Sequence, residues 1–341
     1  MTQPIIIEEL VTQSQSITWL PWAVQYFFFI GIAACGALFA CGLRWRGDAH
    51  SARLEHITLI ITLTCAITAP LALTADLHQP ARVWHFYAYP TPWSWMPWGA
   101  VFLPLFTLLL GLWFIAVQYS AQTGKSFAAT RWLALFSALA AIGLLIYTGR
   151  EASIVKARPI WFSYAFPLTM FLSALQTLFA LLIFALRQDD VWRRRLGRAQ
   201  LVSLLALAGT VILWTTGDTV SGNAVRLWLA NSASARLYAG AWGTLWLCTT
   251  LLAIAVSLRA RAPRMLLCGA CCAMALAWLI RWSLLIEVQT VPKYNAHLTP
   301  YTLPSTTDGL QALIGTFGLW VTLLIMVREA LGWLARRKQH G

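Results

Sequence analysis

The chain has 341 residues, of which 59% are hydrophobic and only 11% charged, with a mean hydropathy of +0.66. A soluble domain carries about a quarter of its residues as charges, so this composition excludes a soluble globular fold and indicates an all-α polytopic membrane protein. The net charge of +13 does not indicate nucleic acid, because the cations lie in short loops between apolar runs, where they set orientation.

A membrane-crossing helix needs about 20 apolar residues at a rise of about 1.5 Å each. Nine stretches meet this requirement: 19–42, 56–76, 97–119, 130–149, 163–186, 199–217, 237–258, 265–286 and 309–331. Counting from the loop after the first span, alternate loops and the tail hold 17 of the 25 cations, among them Arg44, Arg46, Arg53, Arg193, Arg194, Arg195, Arg336 and Arg337. The cation-rich side is cytoplasmic, which predicts a periplasmic N-terminus and a cytoplasmic C-terminus in a bacterial inner membrane. The predicted division is a periplasmic N-terminal segment (1–18), a first helix with a first four-helix bundle (19–186), a second four-helix bundle (199–331) and a cytoplasmic basic tail (332–341).

No Lys or Arg precedes the first apolar run, whose early charges are Glu8 and Glu9, so it does not read as a cleavable signal. That span opens Trp19-Leu20-Pro21-Trp22-Ala23-Val24-Gln25-Tyr26. Trp22 and Tyr26 are four apart and share a helix face. Gln25 and Tyr26 offer hydrogen-bonding groups inside the periplasmic leaflet. An aromatic interfacial anchor accounts for Trp19 and Trp22 but not for Gln25. Below them, Gly31, Ala33, Ala34 and Gly36 suit close helix packing.

The second span ends at Asp76, with Arg82 shortly after. The fourth ends in Tyr147-Thr148-Gly149-Arg150-Glu151-Ala152-Ser153, followed by Lys156 and Arg158-Pro159-Ile160-Trp161. Charge beside lipid is costly and marks a candidate functional site. Opposite charges at these helix ends (Asp76 and Arg82; Arg150, Glu151 and Arg158; Asp218 and Arg226; Arg281 and Glu287) are expected to pair. The connections on this side, 77–96, 150–162, 218–236 and 287–308, are long and rich in Trp, Pro, Tyr and His. Loops of this length commonly carry function, so this is the expected working face. A weak repeat relates Asp76, Arg82-Val83-Trp84 and Trp98-Gly99 to Asp218, Arg226-Leu227-Trp228 and Trp242-Gly243.

Redox centres are not expected in the chain itself. The seven cysteines (Cys35, Cys41, Cys65, Cys248, Cys268, Cys271, Cys272) all fall in apolar spans without paired ligand spacing, so neither a disulfide nor an iron–sulfur cluster is predicted. Haem needs axial ligands from facing helices. The six histidines, His50, His56, His78, His85, His297 and His340, all lie in loops or at span ends, so no haem is predicted.

The string Asp76-Leu77-His78-Gln79-Pro80-Ala81-Arg82-Val83-Trp84-His85 resembles the DLGxPxRxWH signature of the NrfD/polysulfide-reductase membrane-subunit family. Tyr147-Thr148-Gly149 with Ser153, Ala157-Arg158-Pro159, Trp161, Pro167-Leu168 and Ser173-Ala174 is similar to that family's YTG…S…RPxW…LP…SAL run, and Ser94-Trp95 to its short Ser-Trp stretch. The resemblance covers residues 19–180 well and the second half loosely. Length and the ninth span narrow it to the membrane subunits of sulfur-oxyanion reductases.

The resemblance implies a haem-free quinol dehydrogenase, with menaquinol as reductant. It implies a ferredoxin-like iron–sulfur subunit and a molybdopterin catalytic subunit as partners on the periplasmic face. Quinone would sit near the periplasmic end of the first bundle, contacted by Tyr26 and Tyr147. Trp22, Gln25, Arg82 and Arg158 complete the expected binding set, and Asp76 or Glu151 is the expected proton acceptor. A transporter or proton-conducting module predicts mid-membrane charges and broken helices. A passive anchor predicts that Asp76, Tyr147 and Glu151 tolerate substitution.

Overall fold

A computed structural model describes residues 17–77, 79–125, 127–291 and 301–340, with side chains described as far as 336. Most of the predicted segment 1–18, His78 and the middle of the 287–308 connection lie outside these residues, as do the side chains at the end of the basic tail.

The first helix, α1 (Pro21–Arg46), starts on a proline, whose missing N–H costs nothing in a first turn. α2 (Ala49–Asp76) is capped by Asp48, which accepts the Ser51 amide at 2.8 Å. A 3₁₀ turn, Pro80–Arg82, and the short α3 (His85–Ala88) lead to α4 (Met96–Thr123). There follow α5 (Ala129–Ser153), α6 (Ala165–Ala185), α7 (Asp190–Thr216), α8 (Val220–Asn231) and α9 (Ala233–Ser257). α10 (Pro263–Trp282) runs through a π-helical turn, Ser283–Glu287, into α11 (Val288–Thr290), and α12 (Leu310–His340) ends the chain.

Among the described residues, nine helices are long and apolar enough to cross a membrane: α1, α2, α4, α5, α6, α7, α9, α10 with α11, and α12. Each overlaps its predicted window. The main differences come where polar residues extend a helix beyond its apolar core. α7 begins at Asp190, capped by Asp189 through the Val191 and Trp192 amides, so Arg193–Arg195 lie in the helix and not in a loop. The 218–236 connection is largely helical: α8 is capped by Thr219 and followed directly by α9, capped by Ser232.

α1 is the most buried span and packs against α2, α5, α6, α10 and α12. α12 lies against α1 and α2. Helices are the expected form here, since lipid offers no partner for a free backbone amide. Side-chain hydroxyls follow the same rule: Thr58, Thr62 and Thr68 of α2 donate to the carbonyls one turn back. α1 and α2 meet at Gly36, where a Cβ would occupy the position of the Thr62 hydroxyl.

The charge pairing differs from expectation. The ion pairs described are Arg44–Glu55, Arg46–Asp48, Arg193–Asp190 and Arg261–Asp190, all at the basic helix ends. At the aromatic-rich end, cations bind carbonyls instead. Arg226 donates to Thr215 and Gly217, and Arg281 to Phe27, Met170 and Ala277. Glu287 accepts from the Tyr238 hydroxyl at 3.1 Å. For Arg226 the reason is local supply, since the last carbonyls of a helix such as α7 lack intrahelical partners. Arg281 reaches carbonyls inside α1, α6 and α10, because a guanidinium carries five donors to place.

Candidate functional site

Tyr147 and Glu151 lie one turn apart near the end of α5 and so share a face. The Tyr147 hydroxyl interacts with the Glu151 carboxyl. Tyr147 is only 4% exposed. Its ring fills space that exists because residue 99 of α4 is glycine: the ring Cε1 and the hydroxyl oxygen both lie 2.5 Å from where a Cβ would sit. Tyr26 of α1 joins them from across the bundle, coupled electrostatically to both Tyr147 and Glu151. Asp76, at the end of α2, is coupled to Glu151 and accepts the Leu20 amide at 3.3 Å. Three helices thus bring two phenols and two carboxyls together at one end of the bundle, with α4 making room for one of the rings.

The Tyr26 hydroxyl is the unusual atom. It is buried and has no hydrogen-bond partner among the described residues. An unmade bond on a buried hydroxyl costs about 1–3 kcal/mol, so this donor is available to a ligand.

The other predicted residues divide. Trp22 is half-buried and packs against the core. Arg82 is exposed in the 3₁₀ turn. The Gln25 amide faces the second half of the chain: its Nε2 donates to Thr316 Oγ1 at 2.5 Å and to the Leu313 carbonyl at 3.2 Å, and its Oε1 accepts from Trp278 Nε1 at 3.0 Å. Arg158 donates to the carbonyls of Val288, Gln289 and Val291, and burial lowers its guanidinium from the usual value. Arg150 sits over the rings of Trp95 and Tyr164 at 5.9 and 5.8 Å.

Three residues act as structural supports, a role the sequence did not assign to them. Gln289 stitches the chain entering α1, accepting the Thr18 and Trp19 amides at 2.9 and 3.1 Å and donating to the Trp19 carbonyl. Trp161 stacks on Trp19 at 4.9 Å and donates to the Leu284 carbonyl at 2.6 Å, within the π-helical turn. Gly99 was visible only as part of the Trp-Gly repeat.

A cavity of about 490 Å³ lies between α1, α5 and α6. Phe27, Ile30, Leu145, Pro167, Met170 and Phe171 give it an apolar wall, with Arg150 near the helix ends and Arg281 deeper. It uses the neighbouring face of α5, through Ile146, Thr148 and Gly149 on either side of Tyr147.

Comparison with known proteins gives the family of the chain. The family profile "Polysulphide reductase, NrfD" matches residues 9–293, which extends the likeness through eight spans and leaves α12 beyond it. The chain is 60% identical to the C subunit of tetrathionate reductase from Salmonella typhimurium over 346 aligned positions, covering 100% of both proteins. It is 24% identical to the C subunit of selenate reductase from Mesobacillus selenatarsenatis over 201 positions, 49% of this chain and 47% of the other. Length, the ninth span and the Trp19–Phe28 wording resemble tetrathionate reductase's C subunit most, in agreement with the first of these. With the profile spanning most of the chain and a relative this similar over its whole length, the protein belongs to the NrfD polysulphide-reductase family of multi-pass membrane proteins.

Proposed function

We propose that this chain is the quinol-oxidising membrane subunit of a multi-subunit reductase, and that the Tyr26, Tyr147, Glu151 and Asp76 cluster receives the quinol head group. The observation that carries the reading is the buried, partnerless Tyr26 hydroxyl beside the Tyr147–Glu151 pair. Full-length similarity to the membrane component of a tetrathionate reductase supports the class of complex. Tetrathionate is accordingly the proposed terminal acceptor, reduced on another polypeptide.

The residues fit the group. A quinol ring offers two oxygens, and the site offers two phenols to bond them. The adjacent apolar cavity between α1, α5 and α6 suits the isoprenoid tail. Menaquinol, when bound, supplies two electrons and two protons. Tyr26 and Tyr147 orient the head group, and Trp22 screens it from the interface. Glu151 and Asp76 take up the protons, a role that position and protonation state together make effective. Gly99 fixes the Tyr147 ring. Arg158, held to the carbonyls of Val288 in α11 and of Val291 just after it, closes the rim.

In this reading the aromatic-rich end faces the periplasm of a bacterial inner membrane and the basic end the cytoplasm. Exposed Trp84, Tyr87, Tyr89 and Trp93 on that end suit a docked iron–sulfur subunit, which carries electrons to a molybdopterin subunit. Residues 19–186 hold the quinol site, and 199–331 form the second bundle.

The test is Glu151→Gln and Asp76→Asn in the assembled complex, with quinol-driven and dye-driven reduction measured side by side. Losing a general base lowers a rate by about 10²–10⁴-fold. Quinol-driven turnover is expected to fall in that range while a soluble dye, which bypasses the membrane subunit, still drives reduction. Wild-type quinol rates in both variants would show a passive anchor instead.

A further inference from the structure

At the opposite end of the molecule lies a second and larger space, of about 800 Å³, between α2, α4 and α12 and bordered by the end of α1. We propose that it binds one anionic diacyl phospholipid, with the phosphate on Arg53, the glycerol backbone against Leu331 and Leu334 of α12, and the acyl chains running from there toward the membrane centre.

The lining is two-sided. Arg44, Arg53, His56, Gln118 and Gln122 form a polar wall, and Leu331 and Leu334 of α12 face them with apolar surface. A free inorganic anion has no use for the apolar wall, and an uncharged tail none for the polar one. An amphiphile uses both.

The cations are not equivalent. Arg44 is committed: it meets Glu55 at 2.7 Å, and that carboxylate is 1% exposed and also accepts Trp113 Nε1 at 2.9 Å. Arg53 is exposed and makes no ion pair among the described residues. It is therefore the cation with charge to give, and a guanidinium binds phosphate through paired N–H groups. Gln118 adds a second unsatisfied donor, since its buried Nε2 has no partner among the described residues.

Depth agrees with this assignment. Arg53 and His56 lie four and seven residues into α2, about 6 and 10 Å along its axis from the end. Gln118 and Gln122 lie within the last two turns of α4. Leu331 is the twenty-second residue of α12, about 32 Å from its start, where a hydrocarbon core of about 30 Å gives way to headgroups. Basic pockets between spans at this level favour anionic headgroups.

The experiment is native mass spectrometry of the full chain in detergent, titrated with dioleoyl phosphatidylglycerol, dioleoyl phosphatidylcholine or inorganic phosphate. The wild type is expected to retain one phosphatidylglycerol in preference to phosphatidylcholine, and millimolar phosphate is expected not to displace it. Arg53→Gln should weaken phosphatidylglycerol roughly fivefold, the loss of one cation near a membrane surface. Leu334→Trp, which fills the cavity, should weaken it as well. Neither change touches the tyrosine–carboxylate cluster, so quinol-driven turnover of the complex should hold. Equal retention of the two lipids by the wild type overturns the proposal without any variant. So does an unchanged phosphatidylglycerol affinity in both variants, which places the lipid elsewhere. Displacement by phosphate shows a simple anion site and overturns the lipid assignment.

Discussion

Gly99→Ala isolates the placement of the Tyr147 ring from every other feature of the chain. The added methyl would sit 2.5 Å from the ring Cε1 and hydroxyl oxygen, whereas carbon contacts settle at about 3.5–4.0 Å. The ring must therefore move by about 1 Å. Overpacking of this kind costs about 1–3 kcal/mol, and replacing a helical glycine with alanine returns up to about 1 kcal/mol. The net stability loss is thus about 3 kcal/mol at most, and the complex should still assemble. Function is more sensitive, because a displacement of about 1 Å in a positioned group can cost about 10²-fold in rate. The assay compares quinol-driven with dye-driven reduction in the intact complex. Gly111→Ala is the control: it lies on the same helix, α4, and no atom lies within 4 Å of its added methyl. If Gly99→Ala keeps the wild-type quinol rate, or loses no more than Gly111→Ala, then Tyr147 does not position the reductant.

Three other changes separate structural from functional roles. Gln25→Leu removes the bridge from α1 to Trp278 and Thr316; polar contacts between spans average about 0.6 kcal/mol and reach about 1.7, so thermal unfolding in detergent should fall by that order while the KM for quinol stays put. Arg158→Gln strands the carbonyls of Val288, Gln289 and Val291; loss of hydrogen bonds from a charged donor, each about 1.5–3 kcal/mol, should raise hydrogen exchange along α11, whereas Arg158→Lys should recover part of the protection. Asp48 is held below the ordinary carboxylate range by the Ser51 amide and hydroxyl, with Arg46 adding to it. A depressed folded value means the α2 cap is fully present above the unfolded value of about 3.9 and is lost as pH falls through the folded one. Protection of the Ser51 amide should therefore drop with acidification below about pH 4 in the wild type and stay flat in Asp48→Asn.

Much of this could be read before any coordinates, for definite physical reasons. Lipid imposes helices on every span, so counting apolar runs located nine of them. The Tyr147–Glu151 pairing is consistent with their spacing of four on one helix, although the charge pattern sets Glu151 against Arg150 and Arg158. Bringing Tyr26 and Asp76 to that pair is a tertiary event, and only the motif resemblance suggested it. α8 escaped because its twelve residues are too few and too polar to resemble a span. The start of α7 escaped because hydropathy marks where a helix is apolar, whereas Asp189 marks where it begins.

What could not be read was the direction of each polar side chain. Gln25 and Tyr26 are adjacent in sequence, yet helical geometry turns them about 100° apart. One bonds to α10 and α12, and the other sits by Glu151. Arg281 makes the same point with a charge. It is 1% exposed, and its donors go to the carbonyls of Phe27 at 3.0 Å, Met170 at 3.0 Å and Ala277 at 2.8 Å, and to Ser173 Oγ at 3.1 Å. Those acceptors belong to α1, α6 and α10. The guanidinium thus clamps three spans, and it fits because Gly31 leaves its Nη2 room. A carboxylate partner would have fastened it to one helix, whereas carbonyls let one side chain bind three backbones. Pairing cations with the nearest acids in sequence fails here because buried backbone carbonyls outnumber carboxylates in a chain with so few charges.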